Sequence, residues 1–224
     1  MIKRILIVFL FLIVAVTQAQ FRWNDVSFYY QASIHNSSLL NPNYYNEELD
    51  LRIPTIRGSG GLGLMYNFND RLALSFGADY ERKGQQFEGF GRGEEITRDY
   101  ILDYVSGNVM LRYFGKHFNV GVGGYYSYLI SETLHFKNDV EYGTIRFQDE
   151  NYFYNDDVGV FLELGWMFDL DYRTKANIAL FGSYGLLDVN RSSFQFNNFG
   201  DEYNPAQNLV VGLRATIFII TQPY

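Results

Sequence analysis

The sequence predicts an all-β fold, an antiparallel up-and-down transmembrane β-barrel of about eight strands. Three observations predict it: apolar and polar residues alternate along most of the chain, long and short connections alternate between those segments, and aromatic residues gather at the segment ends. The composition agrees, because 47% of the 224 residues are hydrophobic and 18% are aromatic, yet the mean hydropathy is only −0.15. A bundle of membrane helices would need several long aliphatic runs.

The N-terminus, residues 1–19, has the features of a secretory signal peptide. A basic pair, Lys3-Arg4, precedes an unbroken apolar run over residues 5–16, and Thr17-Gln18-Ala19 resembles a cleavage site. The apolar run is too short to span a bilayer comfortably. We therefore expect cleavage after Ala19 and one barrel domain over residues 20–224.

Charge and cysteine content exclude several classes of function. The chain has 18 basic and 25 acidic residues, and loss of Lys3 and Arg4 with the signal peptide leaves 16 basic residues and a formal charge of −9. An acidic chain without basic clusters is a poor candidate for binding nucleic acid. The absence of cysteine excludes disulfides and cysteine-ligated metal sites. We expect no nucleic-acid partner and no cofactor.

The alternation defines eight segments, each with one apolar face and one face of small or polar residues. In one of them Leu72, Leu74 and Phe76 alternate with Ala73 and Ser75, which is the period of a strand. An Asn69-Asp70 turn joins this segment to the one before it in a hairpin. The eight segments are residues 26–34, 61–68, 72–80, 105–113, 118–128, 158–168, 177–186 and 208–217.

The connections between these segments alternate in length. Four are long, over residues 35–55, 84–98, 132–151 and 188–206, and three are short, over residues 69–70, 115–116 and 169–175. An outer-membrane barrel sorts its loops in this way, with short periplasmic turns, long extracellular loops and both termini in the periplasm. A soluble lipocalin-like carrier is the alternative fold. The scarcity of long charged side chains on the polar face favours the membrane barrel, whose narrow lumen suits small residues.

Charged side chains on the polar face predict an ion network inside the barrel. A barrel of eight strands is only wide enough for side chains to fill it, and buried charges need partners. We expect Glu163, between Arg112 and Arg214, to be the centre of this network, and a plugged lumen to result. A conducting or gating network, and hence a small-solute porin or channel, is the alternative. The predicted lumen network comprises Arg57, Asp79, Glu81, Lys83, Arg112, Glu163 and Arg214.

Aromatic residues near the segment ends predict two girdles at the membrane interfaces. At the periplasmic rim these are Tyr66, Phe68, Tyr113, Phe118, Trp166 and Phe168, and at the outer rim Tyr80, Tyr126, Tyr128 and Tyr184.

The sequence offers little for catalysis or metal binding. His35 and Ser37, with Ser38, lie just beyond the first segment and could serve a rim-located lipid-modifying enzyme, but a His-Asn-Ser-Ser run is also an ordinary polar loop. Asp156-Asp157 and Glu94-Glu95 could contribute to a weak calcium site, although acidic loop residues are usually only solvated. We expect no catalytic residues and no metal site.

The outer connections combine acidic and aromatic residues, which could bind a partner or could pack on each other over the barrel. The sequence leaves both open. The aromatic residues concerned are Tyr44, Tyr45, Phe87, Phe90, Phe136, Tyr142, Phe147, Tyr152, Tyr154, Phe194, Phe196, Phe199 and Tyr203.

Residues 61–87, GLGLMYNFNDRLALSFGADYERKGQQF, resemble the second hairpin of the PorT-like outer-membrane β-barrel domain common in Bacteroidetes. Tyr80, Lys83 and Gly84 carry its Tyr-x-x-Lys-Gly element, and the resemblance continues through most of the chain to residue 218. It implies a non-enzymatic envelope protein in contact with outer-membrane lipid. The assembly machinery would insert it by reading an aromatic ending, Phe218 or Tyr224. Some members of the family take part in type IX secretion, which implies a possible envelope protein partner.

Overall fold

The computed structural model describes residues 26–40, 50–91, 94–137, 142–147, 153–190 and 205–220, and these residues form strands and turns. No helix among them is long and apolar enough to cross a membrane. The predicted signal peptide lies outside the described residues. The strands are β1 (Val26–Leu40), β2 (Asp50–Ile53), β3 (Thr55–Asn67), β4 (Leu72–Gly91), β5 (Glu94–Phe114), β6 (Phe118–Lys137), β7 (Tyr142–Phe147), β8 (Asp156–Asp169), β9 (Thr174–Gly185) and β10 (Gln207–Ile220).

Eight of these strands close into a ring. The antiparallel neighbours run β1-β3-β4-β5-β6-β8-β9-β10, and β10 pairs with β1 again. The two short strands extend the ring at one end. There β2 pairs with the part of β4 that lies beyond its pairing with β3, and β7 pairs with the part of β6 that lies beyond its pairing with β8. The predicted eight-stranded antiparallel barrel is therefore confirmed.

The strands are strongly tilted against the barrel axis. Following paired residues once around the ring from Val26 returns to β1 at Asn36, a stagger of ten residues. The path runs through Tyr66, Leu74, Leu111, Val122, Leu162, Gly182 and Val211. With eight strands, a stagger of this size corresponds to a tilt of about 40°.

The two faces of the wall have opposite chemistry. Phe76 is 48% exposed on the outside, whereas its neighbour Ser75 is fully buried inside, and the same alternation holds around the ring. The outer wall is thus a continuous apolar belt that includes Phe28, Leu64 and Leu162. A soluble carrier would place its apolar face inside, so the lipocalin-like arrangement is wrong for this chain.

Several connections that the sequence predicts as long are partly strand. β1 continues to Leu40, and β4 and β5 continue to Gly91 and Glu94, so the predicted connection over residues 84–98 shrinks to residues 92–93. β7 also divides the predicted connection over residues 132–151. The sequence pattern does not show these strand ends. Once a strand leaves the apolar belt, both of its faces can be polar or both can be buried, so apolar and polar residues no longer alternate. We call this end of the barrel the long-strand end, and the opposite end, where the turns are short, the short-turn end.

Glycines on the inner face should tolerate substitution less well than those on the outer face. A Cβ at Gly63 would lie 2.3 Å from the Tyr29 ring and from the Phe76 carbonyl oxygen, whereas a Cβ at outward-facing Gly107 would meet nothing within 4 Å. We expect Gly63→Val to lower the free energy of unfolding by about 1–3 kcal/mol through overpacking. Gly107→Val should leave it unchanged or raise it, since valine favours strands.

Urea unfolding of the detergent-solubilised barrel, followed by heat-modified mobility on a gel, measures both changes. Equal effects of the two valines would contradict the assignment of the inner and outer faces.

Candidate functional site: the barrel lumen

Glu163 on β8 is the centre of the lumen. Its Oε1 accepts hydrogen bonds from Arg112 Nη1 at 2.6 Å and Asn177 Nδ2 at 3.3 Å, and its Oε2 accepts from Arg214 Nη1 at 3.3 Å. The side chains of Glu163 and Arg112 are fully buried, and that of Arg214 nearly so. The structure therefore brings together the three residues that the sequence places at the centre of the network.

The sheet register explains how Glu163 and Arg112 meet. They lie on β8 and β5, and Gly121 of β6 pairs with both. Because Gly121 has no side chain, the Arg112 guanidinium can reach across β6 inside the barrel. A Cβ at Gly121 would approach the Met110 sulfur to 2.2 Å, so this passage is already filled.

Aromatic rings hold both arginines in place. The Arg112 guanidinium lies 5.8 Å from the Tyr29 ring centre and 5.4 Å from that of Phe218, and the Arg214 guanidinium lies 4.2 Å from the Phe181 ring centre. Such contacts favour a cation removed from water. The sequence pattern does not show these contacts, because each ring lies on a different strand from the arginine that it contacts.

Asp79 occupies a second polar site, where its partners among the described residues are neutral amides rather than a cation. It accepts hydrogen bonds from Gln31 Nε2 at 2.6 Å and from Asn108 Nδ2. A cavity of about 30 Å³ lies beside it, lined by Glu81, Arg214 and several hydroxyl groups, among them Ser183. This volume is enough for one or two water molecules. We call it the polar cavity.

Lys83 forms a third polar site nearer the long-strand end. Its Nζ lies 3.0 Å from Asp157 Oδ2 and 3.2 Å from Glu81 Oε2, and 4.5 Å from the Tyr125 ring centre. Asp157 also accepts a hydrogen bond from Asn208 Nδ2 at 2.9 Å. The sequence could have indicated Asp157 as a lumen residue, because it lies six residues before Glu163 on β8 and strand alternation places both on the same face.

The acidic pairs that could have contributed to a weak calcium site are Asp156-Asp157 and Glu94-Glu95. Asp157 faces the lumen, whereas Asp156 faces outward and accepts a hydrogen bond from the Tyr126 hydroxyl, so the two carboxylates lie on opposite sides of β8. These two carboxylates therefore do not contribute to one common site. The side chains of Glu94 and Glu95 lie outside what the structure describes. Among the described residues, no group of three or more His, Asp or Glu side chains is placed to hold a metal ion.

Arg57 and His35 depart from their predicted surroundings. Arg57 pairs with Asp99 of β5 rather than with the Glu163 centre. His35 and Ser37 lie within β1 and are buried, not in a polar loop at the rim. His35 Nδ1 lies 3.1 Å from Ser33 Oγ, and Ser37 Oγ accepts a hydrogen bond from the Gly84 N–H, so His35 and Ser37 do not pair with each other.

Apolar layers lie at both ends of the polar sites. At the short-turn end, Tyr29, Met65, Ala73 and Phe218 pack together inside the barrel. The larger cluster, at the long-strand end, comprises Leu39, Phe87, Tyr100, Leu102, Tyr104, Leu129, Phe153, Val189 and Ala206. Phe87 therefore packs inside rather than forming a surface anchor. Other aromatic residues of the outer connections, Tyr44, Tyr45, Tyr152, Phe194, Phe196, Phe199 and Tyr203, lie outside the described residues.

The ten residues of the predicted girdles lie on the outer wall. Nine of them are at least 40% exposed, and Tyr66, which contacts Phe68 edge-on, is half-buried. On β6, Phe118 and Tyr128 are ten residues apart, which at the strand tilt separates the two levels by about 25 Å. This matches the height of the apolar band of an outer-membrane barrel.

Comparison with known proteins gives one family and a set of similar folds. The family described as outer membrane protein beta-barrel domain matches residues 7–217. Neisserial surface protein A has 12% identity and a TM-score of 0.44, over 86% of this chain and 96% of that one. Ail of Yersinia pestis, in complex with the heparin analogue sucrose octasulfate, has 12% identity and a TM-score of 0.43, over 87% and 99%. OprG from Pseudomonas aeruginosa has 13% identity and a TM-score of 0.35, over 87% and 92%. No curated protein sequence matches the chain.

Removal of the Glu163 charge should destabilise the barrel strongly. We expect Glu163→Gln to cost about 3–5 kcal/mol in the free energy of unfolding, because two buried arginines lose their only anionic neighbour within hydrogen-bond distance among the described residues. Asp169→Asn is the control, because the Asp169 carboxylate is mostly exposed and its pair with Lys175 is a surface contact.

Urea unfolding of both variants measures the difference. A Glu163→Gln barrel as stable as the Asp169→Asn barrel would show that the buried ion pairs contribute little to stability.

Proposed function

The chain belongs to the outer membrane protein beta-barrel domain family, and we propose that it is a non-enzymatic outer-membrane protein with a closed lumen that acts by binding an envelope partner. The observation that carries this proposal is the packing of the lumen. Three polar sites bonded across the barrel, around Glu163, Asp79 and Lys83, lie between two apolar layers. The polar cavity that lies among them has a volume of about 30 Å³.

Export and orientation follow from the same proposal. Residues 1–19 act as the cleaved signal peptide, and residues 20–224 form the barrel domain. The assembly machinery inserts the barrel into the outer membrane, where lipid surrounds its apolar belt. The short-turn end and both termini then lie in the periplasm, and the long-strand end lies outside the cell, which is the usual arrangement of such barrels.

The long-strand end is the part best suited to partner binding. β4, β5 and β6 have 20, 21 and 20 residues, whereas about 9–11 tilted residues are enough to cross a bilayer. These strands therefore project well beyond the apolar belt and carry polar side chains into water. The resemblance to PorT-like barrels, some of which serve type IX secretion, supports a secretion component as the partner.

Small-solute passage is the second candidate function. A vestibule of about 650 Å³ opens at the short-turn end, lined in part by Phe114, Lys116, Met167 and Lys175. It is wide enough for a small molecule. Phe218 lines its inner end and belongs to the apolar layer that precedes the Glu163 centre. Passage of a solute would therefore require the ion pairs to separate.

Planar-bilayer recording of the purified full chain, together with a pull-down from native membranes, tests the proposal. We expect a heat-modifiable barrel that shows no steady conductance and that brings down one envelope protein in stoichiometric amount. A bilayer exposed to the same detergent buffer without protein gives the baseline conductance. Steady, reproducible conductance of the wild-type barrel would favour the channel, and a folded barrel without any partner would contradict the binding role.

A further inference from the structure

The backbone ladder between β3 and β4 is interrupted at one place. Pairing joins Ser59 to Glu81 and begins again between Ile53 of β2 and Gln86. Residues 54–58 therefore face residues 82–85 without a ladder pair, five residues on one strand against four on the other. Pro54 lies in this interval and has no N–H to donate. Between β3 and β4 the wall is thus held at this point by something other than the backbone ladder, whereas the ladder between β4 and β5 continues.

Residues 82–86 of β4, which we call the inward segment, bend into the barrel. Lys83, Gly84 and Gln85 are three consecutive buried residues, whereas a regular strand of the wall buries alternate ones. On the facing part of β3, Ile56 is 69% exposed. Gly84 has a φ of 120°, and a Cβ there would lie 1.9 Å from the Tyr100 carbonyl oxygen. Glycine is therefore required where the strand bends.

Side chains take over the hydrogen bonds that the ladder leaves unmade. His35 Nε2 donates to the Arg82 carbonyl oxygen at 3.0 Å, and Ser37 Oγ accepts from the Gly84 N–H at 3.0 Å. Both come from β1, which is not the ring neighbour of β4. Thr55 Oγ1 accepts from the Gln86 N–H at 2.9 Å. These three contacts fasten the backbone of the inward segment from inside the barrel.

The inward segment begins directly after a residue that lines the polar cavity, Glu81. Glu81 and Ser59, the last ladder pair before the interruption, both line that cavity. Lys83 of the inward segment binds Glu81 and Asp157 and so fills the lumen beyond it. The interruption between β3 and β4 and the internal cavity therefore meet at the Ser59–Glu81 pair.

We propose that the inward segment is a gate over the polar cavity. In the closed state His35, Ser37 and Thr55 hold its backbone in the lumen. In the open state the segment moves outward toward residues 54–58 of the neighbouring strand and takes the adjoining Phe87 with it. This movement also parts the apolar cluster at the long-strand end, so the polar cavity becomes accessible from that end. The proposal rests on the closed lumen of the proposed function, because a gate has meaning only where the resting barrel is shut.

Thiol labelling of the folded full chain tests this gate, since the protein has no cysteine of its own. Ser183→Cys places a reporter in the polar cavity, and Lys116→Cys places a control reporter in the vestibule at the other end. The probe is a small cationic methanethiosulfonate. Each reporter is combined with Ser37→Ala or with Ser127→Ala, a matched loss of a buried hydroxyl that bonds Ser106, a residue that lines the polar cavity but lies outside the inward segment.

We expect Ser37→Ala to increase labelling at position 183 about tenfold, because it removes the acceptor of a buried N–H of the inward segment. Ser127→Ala should leave that rate unchanged, and labelling at position 116 should be the same in all backgrounds. Equal rates at position 183 with Ser37→Ala and Ser127→Ala would overturn the gate.

Amide hydrogen exchange of the wild-type barrel gives a second measurement that does not depend on a variant folding. The Gly84 and Gln86 amides should exchange faster than the ladder-bonded amides of residues 74–78 on the same strand. Uniform protection along β4 would contradict the gate. Steady conductance of the wild-type barrel would instead contradict the closed lumen of the proposed function. Failure of the gate and failure of the proposed function are therefore distinguishable.

Discussion

The requirement that every backbone N–H and C=O in lipid finds a partner governs the rest of this structure. A sheet satisfies it only by closing on itself, since an open edge in hydrocarbon leaves a row of unpaired polar groups. The ring from β1 to β10 does this with eight strands and a stagger of ten residues. Once the ring has this size, the space inside is fixed, and the inner side chains must fill it.

The charged residues of the lumen follow from that constraint. A narrow interior holds few waters, so a carboxylate such as Glu163 is stable there only with cations and hydrogen-bond donors around it. Arg112, Arg214 and Asn177 supply these from three different strands. The bonds of Arg112 and Arg214 to Glu163 link strands that are not neighbours in the sheet. The lumen network thus fills the barrel and fastens its walls at the same time.

The inward segment of β4 shows what happens where the sheet does not meet the requirement. Beyond the Tyr80 level the chain leaves the apolar belt, and the ladder can stop because side chains or water can take its place. His35 and Ser37 do so from β1. In the sequence these two residues could also be interpreted as parts of a catalytic site at the rim. In the structure they bond to the Arg82 carbonyl oxygen and the Gly84 N–H of β4. The role of a polar residue on the inner face can therefore be assigned only when the backbone groups that lie opposite it are known.

Local alternation in the sequence by itself determined the strands, their two faces and the membership of Glu163, Arg112 and Arg214 in one lumen. This was possible because side chains alternate every two residues, so a short window fixes which face each residue takes. The ends of β4, β5 and β6, the partners Asp157 and Asp99, and the bend at Gly84 depend on which residues of distant segments lie opposite each other. Only the tertiary structure decided these, because the stagger around a closed barrel is a property of all eight pairings together and no single segment records it.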